Sequence, residues 1–255
     1  MGRGVFHLLR VDRALLADAA FLDNRLPVDW TQATLVPAAA VPTPRTAPGW
    51  LWHTSFCGST LLARMLDVDP HAVVLREPLV LRRLSDARHG NKPWREFIPA
   101  TNSLLGRDWN GAKAVVKPTH AALNVASEVM AADPGSRAIL LSSSLEDFVV
   151  SHLKKQPETL QRIPLLAERA LSASGFHQRL APAALQPPTL LAAATLQWAA
   201  QREVMADLQQ ALRDRVLAVD WAELQQDPVA QAQRCAAWLE LPVAPAMLER
   251  HVLRV

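Results

Sequence analysis

The sequence predicts an α/β protein in which a parallel sheet of five strands lies between two layers of helices. Short apolar runs alternate along the chain with longer segments whose apolar residues recur at helical spacing, and this alternation is typical of parallel α/β proteins. Half of the 255 residues are hydrophobic, so the chain can bury a sizeable core. Because ligands bind at the carboxyl ends of such strands, we expect the functional site there.

The first 48 residues are predicted to form an N-terminal extension. Residues 12–22 have the apolar spacing of a short helix, whereas residues 23–50 are expected to be irregular, because prolines recur in them. We expect this extension to cover an edge of the sheet or to contact a neighbouring subunit. The α/β domain then comprises residues 49–255.

Each of the five predicted strands is a short apolar run that precedes a helical pattern. The strands are expected at residues 50–54, 72–75, 112–116, 137–141 and 216–219. The main helices are expected at residues 59–67, 121–131, 145–155, 190–213 and 228–240. Residues 79–112 combine a helical piece with a polar loop, and residues 158–188 are a proline-interrupted helical insertion, expected as a lid or on the substrate side.

Charge and cysteine content narrow the classes of function. The chain has 27 Lys and Arg against 24 Asp and Glu, and no dense basic run with interleaved aromatic residues, so nucleic-acid binding is not predicted. The mild positive charge suits an anionic small molecule better. Cys57 and Cys235 lie far apart in the sequence, which predicts neither a disulfide nor a metal site and makes a cytoplasmic protein the expectation. No apolar run is long enough to span a membrane.

Residues 50–66 have the strand–loop–helix order of a phosphate-binding loop. In such loops successive backbone N–H groups and a helix N-terminus face an anion. Gly58 permits close approach of the backbone, and the hydroxyls of Ser55, Ser59 and Thr60 can add hydrogen bonds.

The loop differs from a Walker A motif, which requires Gly-x-x-x-x-Gly-Lys-Ser/Thr. His53 occupies the position of the first glycine, and Ser59 occupies that of the lysine. Because phosphoryl transfer from a triphosphate needs this lysine, a P-loop kinase is the least favoured of the functions considered.

Five stretches, in the same order along the chain, resemble the P-loop sulfotransferase family. In the first, the 5′-phosphosulfate loop, Phe56, Cys57 and Gly58 align with the basic residue, the serine and the glycine of the family pattern, and Ser59–Leu62 align with the rest. The other four stretches are residues 65–78, which end in Glu-Pro, and residues 115–118, 140–151 and 219–242. Trp198 also lies where family members have a tryptophan.

This resemblance implies a P-loop nucleotide-kinase-like sulfotransferase fold and transfer of a sulfuryl group from 3′-phosphoadenosine 5′-phosphosulfate to a hydroxyl or an amine, without a metal ion. It implies that the donor is bound by Ser55, Phe56, Cys57, Gly58, Ser59, Thr60, Ser143 and Ser151. Two of these depart from the family pattern, since Phe56 replaces a basic residue and Ser143 replaces the arginine that binds the 3′-phosphate. Losing two charge-assisted contacts of roughly 1.5–3 kcal/mol each weakens binding by a few powers of ten, unless other cations replace them.

The ends of two predicted strands provide candidate cations. Arg76 and Lys117 each interrupt an apolar strand terminus beside a proline, so we expect both side chains to point into the cleft. Arg64, Lys154 and Lys155 are further candidates, although helix residues of this kind commonly form a solvated face.

The resemblance also implies roles in catalysis. Glu77 occupies the position of the catalytic glutamate of several family members and is the first candidate for the general base. His120 is the second, because cytosolic members have a histidine shortly after the lysine of the third strand. Lys117 is expected to stabilise developing negative charge. His53, at the end of the first strand, is either a further hydrogen-bond donor or a packed structural histidine.

The sequence leaves two functions open. The first is a sulfotransferase-like enzyme whose partners are an anionic nucleotide donor and an unidentified acceptor. The second is a non-catalytic protein of the same fold that binds a nucleotide, a peptide or a partner protein. The N-terminal extension is of the kind that subunits exchange, so a homodimer is compatible with both.

Overall fold

The computed structural model describes residues 4–42 and 46–255, and the parts of the predicted extension at residues 1–3 and 43–45 lie outside these ranges. The strands are β1 (Val5–Leu8), β2 (Thr34–Pro37), β3 (Gly49–His53), β4 (Ala72–Arg76), β5 (Lys113–Lys117), β6 (Ala138–Ser142) and β7 (Val216–Asp220). The α-helices are α1 (Arg13–Asp18), α2 (Ser59–Leu66), α3 (Leu79–His89), α4 (Ile98–Leu105), α5 (Ala126–Ala131), α6 (Leu145–Leu153), α7 (Pro157–Leu160), α8 (Ile163–Ala173), α9 (Leu190–Leu212), α10 (Trp221–Gln226), α11 (Pro228–Trp238) and α12 (Pro245–Val252).

Strands β3 to β7 form one parallel sheet in the order β4-β5-β3-β6-β7. The predicted five-stranded parallel sheet is therefore confirmed, with each strand within one residue of its expected position. The chain leaves β3 towards β4 on one side and later crosses to β6 on the other. The carboxyl end of β3 thus lies where the strand order reverses, which is the usual ligand-binding position in open α/β sheets.

Alternate residues of the strands face two separate cores, as the period of a β-strand requires. Trp50 and Trp52 pack on the side of α3, α5 and α9, with their rings stacked at a centroid distance of 5.3 Å. Leu51 packs on the opposite side, against α2, α11 and α12. These two cores confirm the predicted three-layer α/β/α architecture.

The N-terminal segment is more regular than predicted, because β1 and β2 pair antiparallel and α1 covers only part of the expected helix. The segment lies along β4, the edge strand of the sheet. The amide of Leu22 donates to the carbonyl of Arg76 at 2.7 Å, and the amide of Leu79 donates to the carbonyl of Leu22 at 2.9 Å. The division of the chain after residue 48 remains a prediction.

Two predicted helical regions are subdivided. The helix expected at residues 121–131 begins as a 3₁₀ turn over His120–Val125 and becomes α-helical only in α5. The insertion at residues 158–188 consists of parts of α7, α8 and two 3₁₀ turns. Within the described ranges, no helix combines the length and the hydrophobicity needed to cross a bilayer.

Candidate functional site

The loop between β3 and α2 has the backbone shape of an anion cradle. It turns sharply at Phe56, with φ of 54°, and at Gly58, with φ of 73°. A side chain at Gly58 would also collide with Trp221, because a Cβ atom there would lie 2.0 Å from the indole ring. The loop therefore needs glycine at this position both for conformation and for space.

The polar groups of the loop are partly engaged by α9. The amide of Ser55 donates to Gln201 Oε1 at 3.4 Å, and Gln197 Nε2 donates to Ser55 Oγ at 3.3 Å. In contrast, the backbone amides of Phe56, Cys57 and Gly58 have no acceptor in the part of the chain that the structure describes. These three donors lie at the N-terminal end of α2, where the helix dipole favours negative charge.

Cys57 is a packed residue of the loop, because its side chain is buried and its thiol donates to the carbonyl of Thr54 at 3.1 Å. Burial raises the pKa of this thiol to about 11. A thiol with such a pKa is a poor nucleophile near neutral pH. Ser59 is buried at the first turn of α2, and Thr60 beside it is half-buried.

Phe56, which replaces the basic residue of the family pattern, packs on α6. Its ring packs edge-on against the rings of His152 and Phe148, with centroid distances of 4.5 Å and 6.3 Å. The ammonium of Lys155 lies 4.6 Å from the centroid of the Phe56 ring. A positive charge is therefore present at the loop, although it comes from the end of α6. Lys155 follows the last residue of α6 by two positions, and both Lys155 and its neighbour Lys154 are exposed.

Glu77 and Lys117, which follow and end two adjacent strands, form an ion pair. Lys117 Nζ donates to Glu77 Oε1 at 2.6 Å, and the Glu77 amide donates to the Lys117 carbonyl at 2.6 Å. Glu77 has a φ of 53°, an uncommon conformation for a residue with a side chain, which the two contacts hold in place. The carboxylate lines a cleft, whereas Lys117 is almost fully buried behind it. The prediction that the Lys117 side chain points into the cleft is therefore wrong, because its ammonium lies behind the Glu77 carboxylate.

The prediction for Arg76 is wrong, because its side chain points away from the cleft. Its guanidinium binds Asp67 at 3.0 Å and donates to the carbonyls of Leu16, Ala17 and Ala19 at the end of α1. A buried guanidinium requires a counter-charge and many acceptors, and this corner of the fold provides both. Arg76 thus anchors the N-terminal segment to β4.

The two histidines differ in their surroundings. His53 is buried, with its ring nitrogens 2.7 Å from the Thr54 carbonyl and 2.8 Å from the Pro118 carbonyl. Burial and the nearby charge of Lys117 lower its pKa well below the usual value. His120 lines the cleft, and burial together with the charge of Arg82 lowers its pKa to about 3. Near neutral pH its ring is uncharged and a weak base.

At the end of β6, the hydroxyl of Ser143 is buried and has no hydrogen-bond partner among the residues that the structure describes. The Ser143 carbonyl accepts a hydrogen bond from Trp198 Nε1 at 3.0 Å, and Arg202, on α9, donates to the hydroxyl of Ser142. An arginine thus lies beside the position where Ser143 replaces the arginine of the family. Arg202 was missed in the sequence, although its spacing of four residues from Trp198 indicates the same helix face. Ser151, the other residue predicted to bind the donor on this side, is half-buried in α6.

Arg64, an exposed residue of α2, is not among the residues that line the cleft. The cleft itself has a volume of about 810 Å³ and extends from Ser55 and Phe56 of the loop, past Glu77 and His120, to α8. This volume is typical of a site for a small molecule. Of the predicted site residues, Ser55, Phe56, Glu77 and His120 line this cavity. The others do not line it: Cys57, Gly58, Ser59, Thr60, Lys117, Ser143 and Ser151.

Several solved structures align with this chain at low sequence identity. A sulfotransferase domain from the curacin biosynthetic pathway aligns with a TM-score of 0.53 and 13% identity over 80% of this chain and 77% of its own. A sulfotransferase from Alicyclobacillus acidocaldarius aligns with a TM-score of 0.49 and 16% identity over 78% of this chain and 82% of its own. One from Mycobacterium tuberculosis H37Rv has a TM-score of 0.46 and 13% identity over 85% and 72% of the two chains.

No protein-family model and no curated protein sequence matches the chain. The conclusion therefore rests on the three-layer architecture, the parallel five-stranded sheet and the alignment with the curacin-pathway domain. The chain has a sulfotransferase-like fold.

Proposed function

We propose that this protein transfers a sulfuryl group from 3′-phosphoadenosine 5′-phosphosulfate to a hydroxyl or an amine of an acceptor. The observation that carries the proposal is the ion pair between Glu77 and Lys117, whose carboxylate lines the same cleft as Ser55 and Phe56 of the β3–α2 loop. A carboxylate that faces a substrate cavity and is oriented by a buried ammonium suits a general base.

The residues around the loop fit an anionic nucleotide. The free amides of Phe56 and Gly58, with the helix N-terminus of α2, would hold its 5′ side. The unpaired hydroxyl of Ser143 and the guanidinium of Arg202 would hold its 3′-phosphate, in the role that the family gives to a single arginine. Lys155 supplies positive charge at the loop. When bound, the donor supplies an electrophilic sulfur and a phosphate leaving group.

Residues of this chain would accept the proton, stabilise the developing charge and bind the acceptor. Glu77 would accept the proton of the acceptor hydroxyl or amine, and the short contact with Lys117 fixes the direction of its carboxylate. Lys117 also adds positive charge close to the loop, where negative charge develops. His120, uncharged because its pKa is about 3, would bind the acceptor by a hydrogen bond.

A thermal-shift experiment with 3′-phosphoadenosine 5′-phosphate tests the donor assignment. Ligand at about a hundred times its dissociation constant stabilises the folded state by roughly 2.7 kcal/mol. Adenosine 5′-phosphate, which lacks the 3′-phosphate, is the matched control and should give a smaller shift at equal concentration. No shift with millimolar 3′-phosphoadenosine 5′-phosphate would contradict the proposal.

The loop contacts from α9 favour a second candidate, a non-catalytic binding protein of the same fold. Gln197 and Gln201 engage the hydroxyl and the amide of Ser55, which a donor phosphate would otherwise contact, and Phe56 is uncharged. A thermal shift with the nucleotide, together with no transfer of a labelled sulfuryl group to any acceptor tested, would support this candidate over the enzyme.

A further inference from the structure

The cleft next to Glu77 is unusually rich in arginine. It is lined by five arginine side chains, Arg25, Arg82, Arg83, Arg162 and Arg169, and by three carboxylates, Asp23, Glu77 and Asp86. The arginines come from the N-terminal segment, from α3, and from the start and the middle of α8. The basic lining is thus assembled from separate parts of the chain around one cavity.

The three carboxylates are already paired. Asp23 accepts from Arg25 Nε at 2.8 Å, and Glu77 accepts from Lys117. Asp86 is shared, because Arg82 lies 3.0 Å from it and Arg169 also donates to it. One carboxylate therefore balances two guanidinium groups, which leaves positive charge in excess.

Arg83 and Arg162 add to this excess. Neither forms an ion pair or a side-chain hydrogen bond with any residue in the ranges 4–42 and 46–255, and both are exposed towards solvent at the cleft. The side chain of Arg169 is only 11% exposed, so its charge is weakly screened by water. Positively charged side chains that line a cavity without counter-charges attract an anion and repel a cation.

We infer that the acceptor is a small molecule that carries an oxyanion group, a carboxylate or a phosphate, besides the hydroxyl or amine that reacts at Glu77. The inference rests on the proposed function. Arg83 and Arg162 would contact the oxyanion, since the planar fork of a guanidinium matches two oxygens of either group. The Glu77 carboxylate, with its Lys117 partner, would remain available for the reacting proton.

Three probes of similar size separate charge from shape. 4-Hydroxyphenylacetate is an anion, 4-hydroxyphenylacetamide is neutral and tyramine is a cation. Their binding is measured by calorimetry at low salt without nucleotide, for the wild-type protein, for the cleft variant Arg83→Gln/Arg162→Gln, and for the control variant Arg250→Gln/Arg254→Gln. The control changes the net charge equally, at exposed residues in or after α12.

Wild-type and control proteins should bind the anion at least about tenfold more tightly than the amide, and the cleft variant should lose this preference. 4-Hydroxyphenyl phosphate, in a parallel titration, tells a phosphate acceptor from a carboxylate acceptor. Equal binding of the three probes, no measurable binding of either anion at millimolar concentration, or a preference that survives in the cleft variant would overturn the inference.

The nucleotide experiment, repeated on the same variants, separates this inference from the proposed function. If 3′-phosphoadenosine 5′-phosphate gives a thermal shift in all three proteins but the probes show no charge preference, only the inferred acceptor class is refuted. If the probes bind according to their charge but the nucleotide gives no thermal shift, only the proposed donor is refuted. Loss of the nucleotide shift in the cleft variant only would assign Arg83 and Arg162 to the donor and overturn the inference.

Discussion

Lys117 and Glu77 are joined twice, by the side-chain contact of 2.6 Å and by the backbone hydrogen bond of 2.6 Å from the Glu77 amide to the Lys117 carbonyl. The two contacts tie the ends of β4 and β5 together at the edge of the cleft. They also hold Glu77 in its left-handed backbone conformation, with φ of 53°. The direction of the proposed catalytic carboxylate is therefore set by the sheet and does not depend on a flexible loop.

Replacement of this carboxylate, Glu77→Gln, should lower the rate of sulfuryl transfer by roughly 10²–10⁴-fold, the usual contribution of a general base. The amide keeps a hydrogen-bond acceptor for Lys117, so the thermal shift with 3′-phosphoadenosine 5′-phosphate should persist. Glu249→Gln, at an exposed residue of α12, is the control and should leave the rate unchanged. Unaltered turnover in Glu77→Gln would rule out the role.

The cation at the loop can be tested with two neighbouring lysines. Lys155→Gln should weaken nucleotide binding by up to about 1 kcal/mol, because it removes a positive charge at the loop that is exposed to solvent. Lys154→Gln has the same change in net charge but lacks the contact with Phe56. Titration calorimetry of both variants measures the difference, and equal affinities would show that Lys155 has no special role.

Gly58→Ala should damage both stability and binding. The backbone conformation alone costs an alanine roughly 1–2 kcal/mol, and the overlap with Trp221 adds about 1–3 kcal/mol. Gly111→Ala is the matched control, since Gly111 has a φ of 84° but no atom within 4 Å of the added Cβ. Urea unfolding should therefore show the larger loss at Gly58. A similar loss in both variants would mean that the indole contact does not constrain the loop.

Asp67 and Asp69 both bind Arg13, but their side chains are 6% and 71% exposed. Asp67 also binds the buried Arg76, so Asp67→Ala leaves that guanidinium without its counter-charge and should cost about 3–5 kcal/mol of unfolding free energy. Asp69→Ala should cost less than about 1 kcal/mol, as is usual for an exposed pair. Denaturant titrations compare them, and equal effects would contradict the structural role of Arg76.

The low pKa of His120 predicts a pH dependence of stability. Its pKa falls from 6.5 to about 3 on folding, so between these values the unfolded chain binds a proton that the folded chain does not. Stability should therefore decrease as pH falls from about 6.5 to 3, by at most about 5 kcal/mol from this residue.

The variant His120→Gln should show a smaller loss of unfolding free energy than the wild type between pH 6.5 and pH 4.5. Part of the dependence should remain, because the lowered pKa of buried His53 acts in the same direction. Parallel curves for the two proteins would show that His120 titrates normally in the folded state.

The fold was predictable because local patterns determine it. Each strand of the sheet is an apolar run, and β3 has buried residues at every position, as strands covered on both faces do. Helix α2 begins directly after Gly58, and α9 ends one residue before its predicted end. The N-terminal strands β1 and β2 were missed, because both are short and partly exposed and their pairing joins residues far apart in the sequence.

The site was predictable only in part. The loop and Glu77 could be placed because they directly follow strand ends. Lys117 could be assigned to the end of its strand, but not to its buried position behind Glu77. Arg76, which ends β4, could not be oriented without knowing where the carbonyls at the end of α1 lie. The contacts of Gln201 and Arg202 were also beyond the sequence, since they depend on which face of α9 packs over the loop.

By itself, the sequence determined the alternation of strands and helices after residue 48, the parallel sheet and the glycine-containing turn at residue 58, because apolar periodicity and backbone sterics act over a few residues. The tertiary structure alone decided which cations lie near the loop and which are buried in the core. A charge is stabilised by whatever groups surround it in space. Packing between distant segments therefore placed Arg76 with Asp67, Lys155 beside Phe56 of the loop, and Arg202 beside Ser142 at the end of β6.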